Sequence, residues 1–298
     1  MQAGGSLAKL GLTPIEIKPG KSIPNPSHLV LAVGMAQTIK RRITKPEYQK
    51  WLSELDLVII DEAHTQDTEL LLPYLGQHTI VIGATATPYR ELNQTPLDNF
   101  YQSIVEVISI PELVSQGFLA KPHTYGVKVD LAGIKTKGGD FDANQMGDRY
   151  SKTKLCEGVY ENYTRLTPNK KAIIFAANVQ SSKDLVADFQ KKGLPIKHLD
   201  GTTPNGERKS ILRWFKETHN AIISNVGILN AGFDEPTIEV VILYRATKSL
   251  PLFLQMIGRG SRTTDTKTTF TVLDFGNNIH RHGFWAYRDW ETDRKSVV

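Results

Sequence analysis

A single cysteine, Cys156, stands among 298 residues, so the chain can form no internal disulfide and no cysteine-rich zinc site. That scarcity fits a reducing, cytoplasmic setting. No apolar run reaches the 18 or more residues of a membrane-spanning helix, and the N-terminus lacks the basic and apolar regions of a signal peptide. A phosphate loop is missing too. "IKPGKS" (17–22) imitates one, but the signature needs a glycine five positions before its Gly-Lys-Ser, so that successive amides aim at phosphates. Ile15 occupies that position, and Pro19 removes one of the amide donors. There is no internal repeat and no low-complexity tract.

What remains has the composition of a globular protein, 40% hydrophobic and 22% charged, and is long enough for two domains. The net charge of +5 suits a polyanionic partner without establishing one. Six continuous apolar runs read as strands: 55–60, 79–84, 171–176, 220–225, 238–244 and 270–275. Continuous rather than alternating runs are expected of parallel strands covered on both faces by helices. Between them, "SSKDLVADFQKKG" offers serine N-caps, a terminating Gly193, and Leu185, Val186 and Phe189 on one face. "NGERKSILRWFKETH" repeats the arrangement with Ile211, Leu212 and Phe215. Strands alternating with helices predict doubly wound α/β sheets. Strand signals thin out between 111 and 165, where "GIKTKGGDF" (133–141) reads as a polar loop, and the domain boundary is placed near 118–122.

The most informative stretch is "LVIIDEAH" (57–64). A buried strand ending in Asp61 and Glu62 puts two carboxylates at its carboxyl edge, where open α/β sheets bind ligands. In a nucleotide triphosphatase the first such acid holds Mg²⁺, usually through water, and the second orients and deprotonates the attacking water. A bare Asp-Glu pair elsewhere is most often two surface acids at a loop entrance.

"DEAH" resembles motif II of the superfamily 2 helicases, and "GATATPYR" (83–90) resembles their motif III. Further segments are similar to the family in the same order. "QTIKRR" (37–42) is like motif Ib, "AIIFAANV" (172–179) like motif IV, and "HLDGTTPNGERKSIL" (198–212) like the stretch after it. "SNVGILNAGFDEP" (224–236) is like motif V and "QMIGRGSR" (255–262) like motif VI. The stretch "YRATKSLPLFLQMIGRGSR" (244–262) particularly resembles RadD-like bacterial and phage DEAD/DEAH-type helicases. The resemblance covers roughly residues 28 to 284 and implies two RecA-like parallel-sheet domains in tandem. These would be 1–119, N-terminally truncated, and 120–285, followed by a non-native tail over 286–298.

The resemblance also implies roles. Asp61 would hold Mg²⁺, and Glu62 would be the catalytic base. His64, Thr85 and Thr87 would relay nucleotide state. Gly232 and Asp234 would approach the ribose of ATP, while Gln255, Arg259 and Arg262 would face the γ-phosphate. Nucleic acid, DNA in preference to RNA, would be gripped by Gln37, Thr38, Lys40, Arg41, Arg42, Arg90, Asn178, Val179, Thr202 and Arg208. Asn230-Ala231 stands where motif V often has Thr-Glu, and Ser261 where motif VI usually has Leu.

In this family the phosphate loop lies well upstream of motif II, so the resemblance implies that the chain would be a fragment of a longer motor, with little or no ATPase of its own. Two other readings stay open: a duplex-DNA translocase subunit of a restriction or remodelling system, and a non-enzymatic nucleic-acid-binding remnant. "DFG" (274–276) reads as a strand end and turn, because no other kinase motif accompanies it. "HRH" (280–282) reads as a solvated loop, without carboxylate or cysteine partners at ligand spacing.

Overall fold

The apolar runs do become parallel strands, and they fall in two units, 1–104 and 105–298. The structure, a computed structural model, describes residues 7–18, 31–64, 66–85, 87–88, 96–126, 130–150, 153–229 and 233–287. The "PGKS" tetrapeptide from position 19, together with Arg90, Gly232 and 288–298, lies outside the described residues.

In the first unit, β1 (Ile15–Ile17) pairs in parallel with β2 (Ala32–Gly34). Two helices follow, α1 (Ala36–Lys40) and α2 (Pro46–Ser53). Pro46 opens α2, at the position where a helix needs no N–H. β3 (Leu57–Asp61) then pairs in parallel with β4 (Ile80–Ala84), placing Asp61 beside Ala84. A small core gathers Ile17, Ile43, Tyr48, Trp51, Leu52 and Leu71. Neither β1 nor β2 was legible in advance, since three-residue strands carry too few side chains to show a period.

The second unit holds a six-stranded parallel sheet in the order β5-β12-β11-β8-β10-β9. It begins with α3 (Ile110–Ser115), which is opened by a capping box between Ser109 and Glu112. Ile110 and Val114 pack on the sheet's core, so the unit starts upstream of the expected 118–122. β5 (Lys121–Gly126) forms the edge beside β12. Next come β6 (Thr136–Lys137), β7 (Asp140–Phe141), α4 (Ala143–Tyr150) and α5 (Thr153–Leu166). β6 and β7 form an antiparallel hairpin where a loop was expected. Gly138 (φ 61°) and Gly139 (φ 86°) supply the two positive-φ residues that a tight hairpin turn demands.

The remainder alternates strand and helix. β8 (Ala172–Ala176), α6 (Val179–Lys191), β9 (Ile196–Leu199), α7 (Asn205–Glu217), β10 (Ile222–Asn225), β11 (Val240–Tyr244), α8 (Leu250–Gly258), β12 (Thr269–Asp274) and α9 (Asn278–His282) complete the unit. Alternate side chains of the central strands enter two cores. Ile174, Ile222, Ile242 and Tyr244 meet Tyr150, Tyr163, Leu185 and Phe189 on one face. Ile173, Phe175, Ile223, Val241 and Leu243 meet Ile211, Phe215, Phe253 and Met256 on the other.

One local expectation needs revision. The cap of α6 is Asn178, whose side chain accepts from the Ser181 N–H at 2.8 Å, so the serines lie inside the helix. At the end of the described residues, Trp285 is buried against Phe270, with ring centroids 6.1 Å apart, and Ala286 packs on the same core.

Candidate functional site

In the first unit the parallel register brings the two chemistry-bearing strand ends side by side. Asp61 closes β3, and Glu62 follows with φ 51°, a left-handed conformation that costs a non-glycine residue roughly 1 kcal/mol. Asp61 Oδ1 accepts the Glu62 N–H at 3.0 Å, and Ala63 N–H reaches the Ala84 carbonyl at 3.1 Å. The chain is thereby turned so that His64 meets the segment after β4. His64 Nδ1 lies 2.8 Å from Thr85 Oγ1, 3.4 Å from Thr87 Oγ1 and 3.4 Å from Glu62 Oε2. Thr87 N–H also donates to Thr85 Oγ1 at 3.0 Å. All three residues singled out as a relay thus meet within one cluster that touches Glu62.

Asp61 is exposed and keeps its second carboxylate oxygen without a protein partner among the described residues. That donor set fits Mg²⁺, a hard cation bound through one or two carboxylates and several waters. Within the same unit, Gln37, Lys40 and Arg41 are exposed on or just past α1, and Thr38 is half-buried. Arg42 is engaged internally: it donates to the Tyr48 hydroxyl and, at 2.8 Å, to the Lys18 carbonyl.

In the second unit, α8 carries Gln255 and is capped at its C-terminus by Arg259. The Arg259 guanidinium donates to the Phe233 carbonyl, and Arg262 Nε lies 3.5 Å from Asp234 Oδ1. The motif V segment and the motif VI segment are therefore held face to face. Ser261 is buried; its carbonyl accepts the Ala120 N–H at 2.7 Å and its hydroxyl donates to the Gly258 carbonyl.

The carboxyl edge of the same sheet carries the remaining candidates. Asn178 is occupied as the cap of α6, and Val179 is the first residue of that helix. Thr202 lies in a turn built around buried Asp200, whose Oδ1 accepts from Thr202 N–H and Oγ1, both at 2.7 Å, and from Thr203 N–H at 3.1 Å. Arg208 donates to the carbonyls of Asp200 and Thr203. His198 Nε2, 2.9 Å from Asp200 Oδ2, holds that carboxyl well below the usual carboxylate range, assisted by Thr202. His198 Nδ1 is in turn 2.7 Å from Ser182 Oγ, which is 2.6 Å from Ser224 Oγ. Ser182 and Ser224 are fully buried, so this Ser-His-Asp chain ties α6 to the Asp200 turn and exposes no nucleophile. The network went unread in the sequence, although "DGTT" is an Asx-turn signature that could have flagged Asp200.

"DFG" is a strand end and turn, whereas "HRH" lies in the helix α9 rather than in a loop. Asp274 accepts from Gly276 N–H, Ile279 N–H and Asn278 Nδ2, while burial pushes its carboxyl up. His282 is buried rather than solvated, stacked on Phe253 with centroids 5.1 Å apart and bonded to the Thr247 carbonyl.

Residues 152–264 match the family of the helicase conserved C-terminal domain. The match covers the strands and helices that carry the motif IV to motif VI segments. It is 29% identical over 266 residues to a 51.5 kDa protein of Lactococcus phage (isolate 7-9), covering 88% of this chain and 56% of the phage protein. It is 27% identical over 256 residues to IRC3 of Saccharomyces cerevisiae, assigned by name to the ATP-dependent helicases, covering 82% of this chain and 36% of IRC3. The chain thus spans about a third to a half of the length of these relatives. Its fold is shared with a fragment assigned as the HsdR subunit of a type I restriction enzyme from Vibrio vulnificus YJ016. That match has a TM-score of 0.71 and 20% identity, over 92% of this chain and 53% of that one. No helix among the described residues is long and apolar enough to cross a membrane.

Proposed function

We propose that the chain is part of an ATP-driven motor that moves along or separates nucleic-acid strands, with DNA as its polymer. The observation that carries this reading is the cluster in which His64 joins Glu62 to Thr85 and Thr87. A base whose neighbour also touches the next loop has a direct route from hydrolysis to conformation. The restriction-enzyme assignment of the structural relative supports DNA, and the name of IRC3 supports ATP.

In the proposed cycle Asp61 would hold, through water, a Mg²⁺ ion that would supply positive charge against that of the triphosphate. Glu62 orients and deprotonates the attacking water. Asp234 approaches the ribose alongside Gly232. Arg259 and Arg262 meet the charge that develops on the transferred phosphoryl group, with Gln255 beside them. An arginine so used is worth roughly 10³ to 10⁵ in rate. Gln37, Thr38, Lys40, Arg41, Arg90, Val179 and Thr202 contact the nucleic-acid backbone, which positions it without reading sequence, whereas Arg42, Asn178 and Arg208 are held by the protein's own groups and shape that surface instead.

The test is ATP hydrolysis by the longest native polypeptide that contains this chain, with single-stranded DNA, duplex DNA or RNA added. Turnover stimulated most by DNA and abolished by Glu62→Gln is expected, with little or no turnover by the 298-residue chain alone. Stimulation by RNA only would replace the polymer, and turnover indifferent to Glu62→Gln would sink the mechanism. A strand-displacement assay beside a triplex-displacement assay separates unwinding from translocation on duplex DNA.

A further inference from the structure

The Thr136–Phe141 hairpin belongs to none of the family motifs, and its construction is unusual for a surface loop. Two-residue strands cannot stand alone in water, so the hairpin has to be fastened, and Asp140 fastens it. The carboxylate accepts from Arg245 Nη2 at 3.1 Å and Thr247 Oγ1 at 2.8 Å through Oδ2, and from Lys248 N–H at 2.7 Å through Oδ1. Arg245 is largely buried, and this contact partly offsets the desolvation that pulls its guanidinium down.

With Asp140 turned inward, cations dominate what is left outside. Lys248 Nζ donates to Thr136 Oγ1 at 2.5 Å and lies over the Phe141 ring, 5.1 Å from its centroid. Arg281 lies over the same ring at 4.9 Å. Lys135 and Lys137 are exposed, and their ammonium groups have no partner among the described residues. The neighbouring acid, Asp142, is committed to the Asn144 and Gln145 amides at the start of α4, and Arg149 is committed to Asp130.

Topology puts this basic hairpin where it could extend a binding track. It docks on residues 245–248, just past the carboxyl end of β11; Asn178 and Val179 follow β8, and Thr202 follows β9. These strands are parallel and lie in the order β11-β8-β10-β9, so their carboxyl ends share one edge. Three strand spacings span about 14 Å, the length of about four phosphates at a rise of about 3.4 Å.

We propose that the Thr136–Phe141 hairpin, through Lys137 and Lys248 with Lys135 and Arg281 beside them, is an additional phosphate-backbone contact for the nucleic acid. The inference rests on the motor reading above but adds a site outside its motifs. Ammonium groups on a rigid, glycine-tipped turn neutralise phosphates without selecting a sequence. Phe141 lies beneath both Lys248 and Arg281, and Arg281 also donates to the Thr247 carbonyl at 3.2 Å, which leaves Lys137 and Lys248 as the principal contacts.

The experiment measures binding of a fluorescent oligo(dT) strand and of a duplex of equal length by the 298-residue chain, as a function of salt. Lys137→Gln and Lys248→Gln are compared with the parent; circular dichroism reports their folding, and the exposed Lys137 site keeps the test valid if Lys248→Gln fails to fold. Each variant is expected to lower the magnitude of the log–log salt slope by about 0.7 on the single strand or 0.9 on the duplex, and to weaken binding roughly 5-fold at 0.1 M salt. Folded variants with an unchanged slope and affinity would overturn the hairpin site while leaving the motor reading intact. No binding by the parent chain would instead remove the nucleic-acid reading and the hairpin site with it.

Discussion

The two units contain strands of similar sequence and very different surroundings. In the second, β8, β10 and β11 are buried on both faces between helices. In the first, β3 and β4 cover only one face: Ile60 is 5% exposed, yet Leu57, Ile59, Ile80 and Ile82 on the opposite face are 49%, 65%, 63% and 49% exposed. By sequence alone "LVIID" and "VVILY" are nearly equivalent. The difference teaches that a continuous apolar run records a demand for burial, while the surroundings decide whether the demand is met. It also separates roles: stability resides in the six-stranded sheet, whereas the acids proposed for catalysis sit on a sheet of two strands.

Urea unfolding followed by far-UV circular dichroism should break into two transitions, the first unit melting earlier, because separate units need not be cooperative. Within that curve the largest contrast is between matched isoleucines. Ile242→Ala, fully buried, should cost the later transition about 3–5 kcal/mol. Ile59→Ala should shift the earlier one by less than about 0.5 kcal/mol. Comparable losses at both sites would mean that the exposed face is covered in solution. Asp140→Ala should cost about 2–3 kcal/mol in the later transition, since Arg245 loses its carboxylate while remaining largely buried. In the first unit, Thr85→Val should cost about 1 kcal/mol, the value of the bonds it makes with His64 and Thr87.

Stability should also depend on pH. Burial pushes the Lys267 ammonium down to about 8, against about 10.4 for an unfolded lysine. Between those values the unfolded chain binds the additional proton, so the later transition should gain stability from about pH 8 toward pH 10. Lys267→Met should flatten that rise. Above about pH 10 the trend opposes itself, because Tyr163, pushed up to about 12 chiefly by burial, keeps its proton only when folded.

The architecture was legible wherever a run of five or six apolar residues had to be buried, as at 172–176 and 240–244. Hidden elements were those whose identity depends on distant partners. β5, "KPHTYG", becomes a strand because β12 offers it a ladder, with Thr269 beside Lys121 and Asp274 beside Gly126. β9 is short and carries Lys197 and His198 among its four residues. At the candidate site, motif order named His64, Thr85 and Thr87, while their mutual hydrogen bonds are visible only in the structure. The hydrogen bonds of Arg42 and Asn178 did not, because a basic or amide side chain reads the same in sequence whether it faces solvent or its own backbone.

Asp140 has a mechanical meaning as well. Thr247 Oγ1, which donates to this carboxylate, also accepts the Ser249 N–H at 3.0 Å, and Ser249 caps the helix that ends at Arg259. Turn, cap and helix are therefore joined like links in a short chain, so a pull on the glycine tip would be felt first at the root of the lever that bears the guanidinium.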